Sequence, residues 1–306
     1  MQDVALKLTC RGKPWGYGGI VTGRGQATPT LLPNLQRNRP PPMSSEQIPV
    51  SPAARIDDEQ DDGTHQIAAD LAFHRLVISN VVFYGAPKSP DRHWVLVDAG
   101  VFGSAGAILR AARSRYGKES RPAAIILTHG HFHHAGALEE LAQEWDVPVY
   151  AHLLELPYLN GTASYPAPDP TVGGGLMLML SRFYPRGPVN AGARLQRLPK
   201  DGIIPFMPDW KWIHVPGHTP GQVALWRESD RALIAADALI TVKQESAYAV
   251  MTQHPELHGP PMYYTQDWGQ AGETVQRLAA LEPELIVTGH ARRRDAGSPP
   301  RPGAGF

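Results

Sequence analysis

Short apolar runs separated by stretches of helical period fill the middle of this chain. Leu76-Val-Ile-Ser-Asn-Val-Val-Phe-Tyr84 and Trp94-Val-Leu-Val97 read as neighbouring strands, being rich in β-branched and aromatic residues. The stretch 105–116 reads as a helix with Ile108, Leu109 and Ala112 on one face. Ala123-Ala-Ile-Ile-Leu127 is apolar and too short for a helix, so it predicts a buried strand. A helix is predicted over about 136–144, with Leu138, Leu141 and Trp145 at helical spacing. Val147-Pro-Val-Tyr-Ala151, Val223-Ala-Leu-Trp226 and Ala232-Leu-Ile-Ala235 read as further strands. A helix over 270–281 presents Val275, Leu278, Ala279 and Leu281, and Leu285-Ile-Val287 is the last strand. The class is α/β (α+β): two mixed β-sheets flanked by helices would bury all of these stripes.

The pattern fails in three places. Residues 1–62 show little periodicity and contain Arg39-Pro-Pro-Pro42 and acidic Asp57-Asp-Glu-Gln-Asp-Asp62, so a disordered extension is expected. Met43 offers an alternative start. Residues 292–306 are rich in Arg, Pro and Gly and read as a flexible tail, leaving 63–291 as the folded domain. Within it, 153–210 breaks the rhythm and reads as an insertion. There Leu176, Met177, Met179 and Leu180 form either a short apolar lid or ordinary core.

Composition narrows the function classes. Hydrophobic residues make up 42 % of the 306, enough for a substantial core. Lys+Arg and Asp+Glu both number 29, and this balance argues against nucleic acid or an anionic membrane surface as partner. No apolar run approaches the length of a membrane span, and the N-terminus lacks the apolar core of a secretory signal. Cys10 is the only cysteine, so no intramolecular disulfide can form and a cytoplasmic setting is the expectation. The partner expected is a small-molecule substrate, with oligomeric state left open.

The candidate chemistry is concentrated in His129-Gly-His131-Phe-His133-His134, directly after the strand that ends at Leu127. Open α/β sheets place their chemistry at strand ends, and neutral imidazole is the commonest metal ligand. Residues two apart on an extended segment point the same way, so His129 and His131 can grip one ion, while His133 and His134 can face a second. Other apolar runs also end in a potential ligand or supporting residue. These are Asp98 after Trp94–Val97, His218 in His214-Val-Pro-Gly-His218-Thr-Pro-Gly221, Asp237 after Ala232–Ala236, and His290 after Glu284-Leu-Ile-Val-Thr-Gly.

Taken in order over roughly 67–291, these motifs resemble the metallo-β-lactamase-fold hydrolase superfamily, which includes glyoxalase II and metal-dependent lactonases. The resemblance implies a four-layer αββα sandwich. It implies one metal site at His129, His131 and His218, a second at His133, His134 and His290, and Asp237 as bridge between the two ions. Asp98 matches a buried residue that orients the ligand loop. The family motif His-x-His-x-Asp-His has His133 in its Asp position, which removes one negative charge from a site meant for two divalent cations. Three outcomes stay open: a dinuclear site with His133 as ligand, one tight and one loose metal, or a metal-poor protein.

The resemblance implies two Zn2+ per chain, with one metal or iron as the variant, and hydrolysis by a metal-bound hydroxide. Asp237, His133 and Asp98 would be the groups nearest that chemistry. No Gly-x-Ser-x-Gly is present, so a serine route has little support. The substrate is expected to be an ester, lactone, thioester or β-lactam carbonyl. Ile240 stands where acyl-homoserine lactonases often carry a tyrosine, and only Lys243 lies between Asp237 and Arg277 to bind glutathione. The Met- and aromatic-rich insertion favours a small neutral or hydrophobic ester or lactone. Tyr248 is read as an oxyanion donor or a structural tyrosine, and His254 and His258 are not counted as ligands. The alternatives are a mononuclear iron oxygenase of persulfide dioxygenase type and a non-catalytic metal-binding protein.

Overall fold

A computed structural model describes residues 48–49, 60, 62–168, 189–240, 256–257, 260–261 and 264–290. Two sheets lie at its centre. The larger has seven strands in chain order: β2 (Thr64–Ala68), β3 (Leu71–Arg75), β4 (Asn80–Tyr84), β5 (Val95–Val97), β6 (Ala124–Ile126), β7 (Val149–Ala151) and β8 (Leu195–Arg197). Strands β2 to β5 pair antiparallel and β5 to β8 parallel, so the sheet is mixed. The smaller sheet has the order β13 (Leu285–Thr288), β11 (Ala232–Ala236), β10 (Val223–Arg227), β9 (Lys211–His214), with β11 and β13 parallel. A separate two-stranded ladder joins β1 (Ile48–Pro49) to β12 (Glu256–Leu257).

Side-chain alternation along the strands builds the layers. In β5, Val95 and Val97 face the core between the sheets, while Leu96 faces the helices. In β10 and β11, Val223, Leu225, Ala232 and Ile234 face inward and Ala224, Leu233 and Ala235 outward. The inter-sheet core therefore joins Leu71, Val82 and Ile126 of one sheet to Leu225, Ile234 and Val287 of the other. On the outer face of the large sheet lie α1 (Ala105–Tyr116) and α3 (Leu138–Trp145). They contribute Ile108, Ala111 and Ala112, and Leu138, Leu141 and Trp145, each set at helical spacing. Truncating Ile108, which is fully buried, to alanine would cost about 2–5 kcal/mol. The small sheet is covered by α5 (Trp268–Ala280) through Leu278, with Val275 packed alongside. This is the four-layer αββα sandwich.

Several element boundaries differ from the sequence reading. The run 76–84 is not one strand: Leu76 N–H bonds Ser79 C=O at 2.8 Å, closing a turn between β3 and β4. Val77 is thrown to 82 % exposure there, which a continuous strand would not allow. The hairpin β2–β3 before it gave no clear apolar signal. The helix predicted over 136–144 is α3, which begins two residues later at Leu138, and a separate short helix α2 (Phe132–Ala135) precedes it. Helix α5 begins at Trp268 because Asp267 caps it, its side chain accepting from Gln270 N–H at 2.9 Å. Inside the stretch 153–210, Leu195–Arg197 forms the edge strand β8, and Leu153–Glu155 and α4 (Leu156–Leu159) follow β7. Leu176, Met177, Met179 and Leu180 lie outside the described residues.

Candidate metal centre

The chemistry-bearing side chains lie on the loops and the short helix that follow strand ends. Asp98 follows β5, His129 follows β6, Asp237 follows β11 and His290 follows β13. His131 precedes α2, which carries His133 and His134, and His218 sits on the loop between β9 and β10. All eight are buried. The backbone is bent to aim two of the carboxylates. Asp98 itself has φ +63°, and Ala236, one residue before Asp237, has φ +47° at a register shift in the β11–β13 ladder.

The imidazoles converge through nitrogen atoms. His129 Nε2 lies 3.1 Å from His131 Nδ1, which lies 3.0 Å from His218 Nε2. Asp237 is the hub of the remainder. Its Oδ2 is 2.9 Å from His133 Nε2 and 3.5 Å from His218 Nε2, and its Oδ1 is 3.1 Å from His134 Nε2 and 3.2 Å from His290 Nε2. Among the described residues, two groups have potential ligand atoms mutually within 4.8 Å: His129, His131 and His218, and His129, His133, His134 and Asp237. Nitrogen ligands around a tetrahedral zinc stand about 3.3 Å apart, so these spacings suit a cation between them. The sequence residues expected to act together are thus brought together, with His133 inside the cluster.

The far side of the His129, His134, His218 and His290 rings is also engaged, and this fixes which of their nitrogens faces inward. His134 Nδ1 pairs with Asp98 Oδ2 at 2.7 Å. Asp98 Oδ1 also accepts from Thr128 N–H at 2.8 Å and Thr128 Oγ1 at 2.9 Å, so it ties the ligand loop to β5. With Nε2 aimed inward, His129 donates from Nδ1 to Thr128 Oγ1 at 3.2 Å. His218 donates from Nδ1 to Thr265 Oγ1 at 3.3 Å, and that hydroxyl donates to Pro261 C=O at 2.7 Å. His290 donates from Nδ1 to Ile78 C=O.

Electrostatics favour neutral, ligating imidazoles. Burial drives His129 and His131 well below the ordinary histidine value, and neighbouring imidazoles push the same way. Burial and then His134 take His133 down to about 3, even though Asp237 pulls it up. His134 is the exception: burial opposes its charge, but the carboxylates of Asp237 and Asp98 win and raise it to about 10. Burial also works against ionised Asp237, yet His290 and His134 hold its carboxyl well below the usual range.

Other residues named from the sequence separate from the cluster. His214 bonds Pro220 C=O at 2.8 Å and stacks on His152 with ring centroids 4.4 Å apart. Tyr248, His254, His258 and Cys10 lie outside the described residues. One group was missed: Glu155, fully buried, accepts hydrogen bonds from both ligand-bearing loops. Its only sequence signal was an acidic residue inside Leu153-Leu-Glu-Leu-Pro157, indistinguishable from a solvated one.

Comparison with known proteins leads the same way. The probable metallo-hydrolase YflN of Bacillus subtilis is 48 % identical over 213 residues, covering 70 % of this chain and 80 % of that protein. The probable metallo-hydrolase YybB of the same organism is 28 % identical over 195 residues, covering 64 % and 74 %. Among solved structures, MEM-A1, a subclass B3 metallo-β-lactamase from a soil metagenome library, aligns with a TM-score of 0.51 at 19 % identity, covering 78 % of this chain and 82 % of that one. That likeness is one of fold. Among the described residues no helix is long and apolar enough to cross a membrane. The sequence profile described as the metallo-beta-lactamase superfamily matches residues 74–290, the span that contains the smaller sheet, the larger sheet from β4 onward and every member of the histidine–aspartate cluster, and the chain belongs to that superfamily.

Proposed function

We propose that this chain is a metal-dependent hydrolase of an ester, lactone, thioester or cyclic amide carbonyl. The observation that carries the reading is the convergence of His133, His134, His218 and His290 on the buried carboxylate of Asp237. His129, His131 and His218 would hold one ion, and His133, His134 and His290 a second, with Asp237 between them. Zinc in such a site supplies Lewis acidity and an acidified water near neutral pH. Asp98 holds His134, and through Thr128 the His129 loop, in the ligating orientation.

The surroundings support an apolar substrate. Phe102 and Val77 are 87 % and 82 % exposed. Their loops touch the centre: Ile78 C=O receives His290, and Ala99 N–H bonds His134 C=O at 2.6 Å. Ile240 is buried and offers no hydroxyl, which disfavours an acyl-homoserine lactone. The test is elemental analysis of protein purified without added metal, followed by an ester, lactone, thioester and β-lactam panel with and without chelator. About two zinc ions per chain and a chelator-sensitive rate are expected. A single iron with oxygen uptake on a thiol persulfide would instead favour the oxygenase, a reading the nitrogen-rich donor set at His133 keeps in view.

A further inference from the structure

Glu155 follows β7 at the start of α4 and is fully buried. Its Oε2 accepts from Gly130 N–H at 2.9 Å and from the Tyr165 hydroxyl. Its Oε1 accepts from Thr219 Oγ1 at 2.8 Å and from Gly221 N–H at 2.8 Å. Gly130 lies between His129 and His131, and Thr219 follows His218. One carboxylate oxygen therefore grips each of the two loops that supply the nitrogen triad. All four neighbours are donors, so both oxygens serve as acceptors. The contact needs glycine on both loops. A Cβ on Gly130 would stand 2.8 Å from Tyr165 Oη, and one on Gly221 would stand 2.8 Å from Glu155 Cγ. Tyr165 also packs its ring 4.4 Å from that of His131. Among the described residues the loops have one further backbone tie, Val223 N–H to Thr128 C=O at 2.9 Å, where β10 begins. Adjacency of the loops thus survives without Glu155, and what the carboxylate adds is the spacing of their ligand-bearing tips.

We propose that Glu155 is a positioning residue for the triad His129, His131 and His218, and so sets the affinity of that half of the centre for a divalent cation. The inference rests on the metal-centre reading above. In Glu155→Gln, the new NH2 must face either Gly130 N–H or Gly221 N–H. A hydroxyl can turn to accept, but a backbone N–H cannot, so one loop always loses its direct backbone bond to residue 155; on the His129 loop Gly130 N–H would keep its second acceptor, Tyr165 Oη, at 2.9 Å.

The test uses the full chain stripped with chelator and titrated with Co2+ alone, followed by visible absorption and by competition with a chelator of known affinity. In Glu155→Gln one Co2+ is expected to bind about ten- to a hundredfold more weakly with an altered spectrum, while the other keeps its affinity. Thr219→Val removes one donor and leaves the carboxylate and both backbone bonds, so it carries the test if Glu155→Gln does not fold. It should weaken the same ion by a smaller factor. Lower thermal stability with unchanged Co2+ affinity and spectrum in both variants overturns the proposal and leaves Glu155 a fold residue. Wild-type protein that binds no Co2+ overturns the metal-centre reading and this inference with it.

Discussion

At position 133 an imidazole occupies the place of the carboxylate in the family motif, and its Nε2 reaches Asp237 Oδ2 at 2.9 Å. Burial keeps it uncharged, so it offers a lone pair without adding negative charge. His133→Asp would place a second carboxylate beside Asp237, and the attraction for a divalent cation in a buried site rises with each anionic ligand. The expected outcome is a higher metal content at limiting zinc, with a faster chelator-sensitive hydrolysis. Metal content equal to wild type with a lower rate would mean that the centre is tuned to imidazole at this position.

At the scale of elements, the turn from β13 into His290 is packed against the centre. A Cβ on Gly289 would stand 2.7 Å from His134 Cε1 and would also press on the Asp237 carboxylate. Gly289→Ala should therefore displace ligands while the sheets stay intact. The expected result is an unchanged far-ultraviolet circular dichroism spectrum and metal affinity reduced by about tenfold or more. Gly272→Ala is the control: a Cβ there meets nothing within 4 Å, and it lies inside helix α5. It should stabilise by about 0.5–1 kcal/mol and leave metal binding alone. Metal affinity equal in the two variants would show that the Gly289 approach does not matter.

For the whole molecule, the buried histidines link stability to pH once the metal is removed. Burial lowers His129, His131, His133 and His218, so on unfolding they take up protons below their ordinary value of 6.5. Their contribution is present above 6.5 and is lost as pH falls below it. His134 has the opposite sign: raised to about 10, it stabilises below 6.5 and that stability is lost as pH rises toward 10. Four groups against one predict a chelator-treated protein whose melting temperature is highest near neutrality and falls more steeply on the acid side. Melting curves from pH 4 to 10 check this; a flat acid limb would mean that the rings are hydrated in the metal-free state. Zinc should raise the whole curve, since it binds only the folded arrangement.

How far this could be read from the chain depends on range. The alternation Val95-Leu96-Val97, the helical stripe Leu138, Leu141 and Trp145, and the ordered candidate ligands His129, His131, His133, His134, His218, Asp237 and His290 are local patterns, and local patterns are visible without coordinates. The family and the four-layer class followed from them, and so did the set of residues that the fold gathers into one histidine–aspartate cluster. The turn at Leu76–Ser79 was hidden because its apolar residues mimic a strand, and only the pairing of β3 with β4 breaks it. Glu155 was hidden for a different reason. Its partners Gly130, Thr219 and Gly221 are up to 66 residues away, so its burial and its bonds exist only once two sheets bring their loops together. Residue type and spacing determined which groups could bind a metal. The tertiary structure decided which atoms face one another and which carboxylate holds them there, because those contacts join segments that the chain itself keeps apart.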